Sequence, residues 1–226
     1  MPKIRSGLSK VEDSFETWIE IIGNEYKKKF SKKYNELFNI INKMKSNKLN
    51  KGKKYIKYNF TKKNLLLNWI IDKKLNGVIQ HQSRSHMNSD LIRYFYLSYL
   101  SNKENKQKSI LDVPSSLKPD HKNITIKKNK LTSFVHTDRF KVQLWGSPTN
   151  TITSHISKDG HYFIHPDYTQ CRSLSPREAA RIQTFPDNYF FCGGRTMQYQ
   201  QIGNAVPPYL AYQIAKIILQ FLKKTK

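Results

Sequence analysis

The side chains able to do chemistry gather in two stretches of a 226-residue chain. The first, His81-Gln82-Ser83-Arg84-Ser85-His86-Met87-Asn88-Ser89-Asp90-Leu91-Ile92-Arg93-Tyr94, holds two histidines, two arginines and an aspartate. Zinc wants three or four nitrogen or sulfur ligands, and His81 and His86 have no obvious companions. The stretch therefore reads as a polar network that orders its surroundings, with Arg84 facing phosphate. The second stretch, Cys171 to Asp187, carries Arg172, Arg177, Glu178, Arg181 and Asp187. Only eight of the forty basic residues are arginine, and Arg172, Arg177, Arg181 and Arg195 fall in the last quarter of the chain. Such positions ask for the planar fork that engages carboxylate, phosphate or carbonyl groups, not for charge alone. Arg177, Glu178 and Arg181 serve equally well as braces within the chain or as contacts to a polyanion.

The formal charge of +24 and pI near 9.9 point to that polyanion, and nucleic acid is the first expectation. The competing reading is a lysine-rich chain with most lysines on solvated faces. Cys171 and Cys192 lie far from any Cys-x-x-Cys spacing, which argues against a disulfide scaffold or zinc module and fits a reducing cytoplasm. No signal-peptide core follows Met1, and no apolar run approaches a membrane span.

Several elements must position these groups. Ser175-Pro176-Arg177-Glu178 is a helix start with a hydroxyl N-cap, proline at the first position and glutamate at the third. Asp13-Ser14-Phe15-Glu16 is a second capping box, followed at helical spacing by Phe15, Trp18, Ile21, Ile22, Tyr26 and Phe30, then by Leu37, Ile40, Ile41 and Met44. Residues 45–54 read as a loop, the lysine run Lys51–Lys63 as a solvated loop or a phosphate contact, and Asn64 to Ile71 as another helix. Asp90 near a helix start puts Arg93 and Tyr94 on its first turns. Phe134 to Trp145 reads as a strand. Thr151-Ile152-Thr153 and Tyr162-Phe163-Ile164 flank Lys158-Asp159-Gly160, which predicts a β-hairpin over about 151–164. A last helix starts at Val206-Pro207-Pro208, with Leu210, Ile214, Ile217, Ile218 and Phe221 in one apolar stripe. No obvious parallel-sheet partner precedes it, so an exposed or weakly covered apolar face is expected in the isolated chain.

Two blocks, Arg172-Ser173-Leu174-Ser175-Pro176-Arg177-Glu178-Ala179-Ala180-Arg181-Ile182-Gln183-Thr184-Phe185-Pro186-Asp187 and Gln201-Ile202-Gly203-Asn204-Ala205-Val206-Pro207-Pro208, resemble motifs IX and X of the DNA (cytosine-5) methyltransferases. The His-x-x-Arg-x-His-Met and Asp-Leu-x-Arg-Tyr patterns resemble one bacterial branch of that family, as does the opening Ile4-Arg5-Ser6-Gly7-Leu8-Ser9. The family's Pro-Cys nucleophile, Phe-x-Gly-x-Gly cofactor loop and Glu-Asn-Val acid do not occur: Cys171 follows glutamine, Cys192 follows phenylalanine, and Glu104-Asn105 is followed by lysine.

The resemblance implies a mixed α/β chain: residues 1–170 as a target recognition domain, and 171–226 as the segment that completes a Rossmann-like methyltransferase domain. It implies Asn204 and Ala205 at the edge of an S-adenosylmethionine pocket. It further implies duplex DNA at Thr153, the position matching the threonine that contacts the target phosphate, with Lys158, Arg84 and Arg172 as further DNA-binding candidates. Arg172 matches an arginine that helps organise the recognition domain. The expected function is that of a recognition subunit or carboxy-terminal fragment, inactive until an amino-terminal subunit supplies the nucleophile. A stand-alone DNA-binding module, a decayed gene fragment and a piece of an RNA cytosine methyltransferase are the alternatives.

Overall fold

The computed structural model describes residues 15–29, 35–44, 52–59, 65–119 and 139–224. Its elements are α1 (Phe15–Lys29), α2 (Asn35–Lys43), β1 (Gly52–Lys57), α3 (Leu65–Ile70), β2 (Gly77–Gln82), α4 (Asn88–Glu104), α5 (Pro176–Ile182), α6 (Arg195–Asn204) and α7 (Pro208–Lys224). Among the described residues the fold is mixed α/β, about half helical with one two-stranded sheet.

Apolar residues at helical spacing put Ile22, Tyr26, Leu37 and Ile41 inside, and the Tyr26 and Phe38 rings stack at 5.7 Å. These helices close on the apolar side of α4, where Leu91, Ile92, Tyr94, Phe95 and Leu97 form the first core. The expected cap at Asp13 and the side chains of Phe15, Trp18 and Phe30 lie outside the described residues, as does the stretch from Ile4 to Ser9. The helix expected from Asn64 is α3. The one expected near Asp90 is α4, with Asp90 and Arg93 paired at 2.8 Å on its first turns.

The expected loop over 45–54 ends in β1, which pairs antiparallel with β2 in the register Gly52↔Gln82, Tyr55↔Ile79, Lys57↔Gly77. Lys53 and Lys54 are adjacent, as are Tyr55 and Ile56, so the segment shows no strand alternation of its own. Its partner lies more than 20 residues away, where no short-range signal marks it. Gly77 is required there, because a β-carbon would collide with the Ile56 carbonyl and the Tyr55 ring.

The hairpin expected over 151–164 is replaced by a 3-10 turn, Ser154–Ser157. Asp159 and Gly160 do make a tight turn: the Asp159 carboxylate accepts from the His161 N–H, and Gly160 has φ +78°. The flanking arms do not pair with each other, however. Ile164 bridges Val142 in parallel and Ser173 in antiparallel sense, while Ile152 and Ile156 turn into the second core. The strand expected through Trp145 is reduced to the bridge at Val142; its Phe134–Asp138 portion lies outside the described residues.

That second core joins Ile152, Ile156 and Phe163 to Leu174, Ala179, Phe185, Phe191, Tyr199 and Ile202. The capping box of α5 forms as expected: Ser175 Oγ accepts from the Glu178 N–H at 3.2 Å, and Glu178 Oε2 accepts from the Ser175 N–H at 2.8 Å. Helix α6 runs from Arg195 into the second quoted block and ends at Asn204. Helix α7 is held at its start. Thr184 Oγ1 accepts from the Tyr209 N–H at 3.0 Å, and Trp69 packs against the rings of Tyr209 and Tyr212 at 5.2 Å each. Beyond that turn the expected apolar stripe stands open, with Leu210, Ile214, Ile217, Ile218 and Phe221 between 46% and 68% exposed. Among the described residues no helix is long and apolar enough to cross a membrane.

Candidate functional site

The arginines are spent inside the molecule. Arg84 donates from Nη1 to the Lys158 carbonyl at 2.8 Å and from Nη2 to the Ile156 and Ser157 carbonyls at 2.9 and 3.3 Å. Its Nε is buried without a hydrogen-bond partner, and the guanidinium lies 4.6 Å above the Tyr199 ring. Arg84 was expected to face phosphate; it faces the carbonyls of the loop instead. Arg177, 1% exposed, donates to the carbonyls of Ile79, Pro186 and Tyr189, and burial lowers its pKa to about 10. Arg181 grips Asp187 with two bonds of 2.8 and 2.6 Å, and Arg195 donates to the Ser83 carbonyl. The same Asp187 accepts from the Tyr58 hydroxyl at 2.6 Å, and burial together with that bond pushes Tyr58 up to about 12.

Arg172 is 5% exposed and forks onto Glu178 at 2.6 and 2.8 Å. Burial alone would push the Glu178 carboxyl up, but the Arg172 guanidinium and its bonds hold it well below the usual carboxylate range. His165 Nε2 lies 3.5 Å from the same carboxylate, while its Nδ1 accepts from the Asp167 N–H at 3.1 Å. Burial, reinforced by Arg172, lowers His165 to about 4, so the ring is neutral. His81 Nδ1 meets Ser175 Oγ at 2.7 Å, and His86 Nε2 accepts from the Ser173 N–H at 3.1 Å. The two histidines thus seat β2 and the start of α4 against the head of α5. The polar network read from the sequence is this seat.

What the arginines hold in place is exposed. Thr153 and Lys158 face solvent at either end of the 3-10 turn, with exposed His155 between them. A groove of about 290 Å³ opens beside Thr153, lined by Lys141, Asn150, Thr151, His155 and Tyr162, with no carboxylate. The structure therefore brings Thr153, Lys158 and Arg84 together, the first two as outward groups and the third as their support; Arg172 supports the adjoining α5.

Asn204 and Ala205 form the turn between α6 and α7. Gln183 holds it, donating from Nε2 to the Ile202 and Ala205 carbonyls at 3.2 and 3.4 Å and to the Ile152 carbonyl at 3.4 Å. One buried amide thereby ties this turn to the start of the Thr153 loop. Asn204 is exposed and its side-chain amide has no hydrogen-bond partner among the described residues, so the turn offers a free donor and acceptor on a fixed backbone. That fits one edge of a cofactor pocket. Gln183 and Gly203 are the site residues that sequence reasoning missed. Both stand inside the two quoted blocks, but nothing in the spacing says what they touch.

Buried arginine braces thus lie under a basic, hydroxyl-bearing loop. Comparison with known proteins places it. The family model for C-5 cytosine-specific DNA methylase matches residues 7–220, and the chain belongs to that family. It is similar to the Type II methyltransferase M.Bpa9945I of Bacillus paralicheniformis, 63% identical over 81 residues that make up 36% of this chain and 18% of the relative. The Type II methyltransferase M.AgeI of Thalassovita gelatinovora is 42% identical over 81 residues, again 36% and 18%. The Type II methyltransferase M1.HphI of Haemophilus parahaemolyticus is 31% identical over 143 residues, 63% of this chain and 32% of the relative. The chain thus spans between about a fifth and a third of the curated relatives it matches.

Proposed function

We propose that this chain, as a recognition subunit or carboxy-terminal part, supplies target recognition and one wall of the cofactor pocket to a DNA cytosine-5 methyltransferase of a restriction-modification system, and that the reactive thiolate comes from an amino-terminal part outside these residues. Cytosine C5 is too weak a nucleophile to accept a methyl group unaided, and the base is stacked in the duplex. Flipping the base out and adding a thiolate at C6 makes C5 nucleophilic. S-adenosylmethionine, when bound, supplies the electrophilic methyl group. Residues of this chain bind and orient: Thr153 and Lys158 take the DNA backbone, Arg84 supports them from beneath, Arg172 braces the adjoining α5, and Asn204 with Ala205 borders the cofactor. In this reading residues 1–170 are the recognition part and 171–226 complete the catalytic domain, acting in the cytoplasm.

The observation that carries the reading is the open apolar face of α7 directly after the Asn204–Ala205 turn. A stripe that greasy on a 17-residue helix calls for a covering surface. The test is to assay methyl transfer to duplex DNA by the purified chain, alone and mixed with an amino-terminal methyltransferase polypeptide carrying the Pro-Cys motif. Transfer by the mixture only is expected. Transfer by the chain alone, or by no mixture with any polypeptide encoded beside it, sinks the proposal.

A further inference from the structure

The β1–β2 ribbon carries a face that neither core uses. Lys54, Gln80 and Gln82 line a pocket of about 360 Å³ whose other side is Phe190, Arg195 and Gln198. No carboxylate occurs among the lining residues or on either strand. Gln82 and Lys54 are exposed and have no side-chain hydrogen bond or ion pair among the described residues, and Phe190 is 64% exposed. Gln80, by contrast, is locked. Its amide donates to the Phe191 carbonyl at 2.7 Å and accepts from the Phe191 N–H at 2.9 Å, at a backbone φ of +58° that a non-glycine residue adopts at a cost. That strained clasp fixes Phe190 beside the ribbon. On the ribbon's other side His81 is bonded to Ser175, so the strand alternation leaves Gln82 pointing outward.

The major groove of B-DNA admits a two-stranded ribbon. There a glutamine amide matches adenine N6 and N7, and a phenylalanine ring fits the thymine 5-methyl group. We propose that this ribbon enters the major groove and reads one A·T pair through Gln82 and Phe190, while Lys54 takes a flanking phosphate. The proposal rests on the DNA-recognition reading above. It adds a second contact, distinct from the Thr153 loop, that confers sequence preference.

The test uses the full chain and a duplex pool randomised over the site, with bound sequences read out and binding measured against salt. Gln82→Ala and Phe190→Ala are each expected to erase the preference at one A·T position by at least about fivefold while leaving other positions unchanged. Lys54→Gln should weaken all sequences alike and reduce the slope of log K against log salt by about 1. All three residues are exposed, so melting temperature serves as the folding control. If these variants keep wild-type preference and salt slope while Thr153→Ala and Lys158→Gln lose binding, the ribbon proposal fails and the DNA reading stands. If the wild-type chain shows no duplex binding, both fail.

Discussion

The α-carbon of Gly203 rests on the Thr153–Ser154 peptide, so closely that a β-carbon at residue 203 would overlap Thr153 C and Ser154 N. A glycine on α6 thus seats the loop that is proposed to contact DNA. The obstruction is backbone, which cannot swing aside as a side chain would. Gly203→Ala is expected to cost about 1–3 kcal/mol, the range for forcing a methyl into a packed site. It should also weaken duplex binding, because the loop must lift. Thermal unfolding and salt-matched binding on the same sample check both parts; unchanged binding at reduced stability would separate the loop from the DNA.

Arg84 secures the same loop from its other end. Replacing it with alanine strips the donors from the Ile156, Ser157 and Lys158 carbonyls and removes the cation from the Tyr199 ring. A loss of about 1–3 kcal/mol is expected. Lysine cannot rescue it, since a point charge does not span three carbonyls. Hydrogen exchange localises the effect: amides of residues 154–158 should exchange faster in Arg84→Ala and Arg84→Lys than in the wild type, with α4 unchanged.

The local signals were legible in the sequence and the long-range partners were not. Ser175 and Glu178 cap each other three residues apart, and the α7 stripe recurs within one helix; both are short-range patterns and both appear as read. β1 went unread because its partner is β2, and a lysine-rich strand resembles a loop until that partner is known. The 151–164 hairpin failed for the same reason in reverse. Asp159-Gly160 makes its turn, but Arg84 claims the carbonyls on one arm and Val142 and Ser173 claim Ile164 on the other. Arginine types were informative while arginine targets were not: the fork was needed, and carbonyls and carboxylates within the chain took it.

Arg172 and Glu178 form a buried pair whose removal by halves is expected to be costly. Glu178→Ala leaves a 5%-exposed guanidinium without its counter-ion and also removes the glutamate half of the α5 capping box. A loss of about 3–5 kcal/mol is expected. Replacing both residues, Arg172→Met with Glu178→Leu, should recover part of that loss, because two apolar groups leave no stranded charge. A double-mutant cycle by denaturant unfolding measures the coupling, and additive losses would deny the pair.

Acid should loosen this region before it touches ordinary carboxylates. His165 binds its proton near pH 4 in the folded chain against an ordinary value of 6.5, so between those values the unfolded chain holds more protons. Stability therefore falls as pH drops through that window, by up to about 3 kcal/mol at its lower end. The groups around the ring are Arg172, Glu178, Asp167 and His81, and His81 is itself lowered by burial and adds in the same direction. Glu178 acts lower on the scale. Its depressed carboxyl contributes stability above its ordinary 4.5 and loses it below. His165→Asn keeps an acceptor for the Asp167 N–H and should flatten the melting-temperature profile between pH 6.5 and 4.5; an unchanged profile would assign the acid sensitivity elsewhere.

The open face of α7 makes a final expectation. Ile217 and Ile218 are 54% and 53% exposed, whereas Ile41, on α2, is 1% exposed. A charge at Ile41 must enter the first core, so Ile41→Asp should abolish cooperative folding. Ile217→Asp with Ile218→Asp places charges where water already is, and the melting temperature of the isolated chain should stay within the range of neutral surface changes, about 0.5 kcal/mol. Association with the proposed amino-terminal part, supplied as a polypeptide, should behave oppositely. Covering such side chains stabilises by about 1.5–3 kcal/mol for each one fully buried, so two aspartates on the stripe should weaken the complex by at least tenfold and abolish methyl transfer by the mixture. Titration calorimetry and gel filtration read the association, and unfolding of the isolated chain supplies the control. A double variant that unfolds the isolated chain would mean that α7 belongs to its own core, and a complex of undiminished affinity would mean that the partner sits on another face.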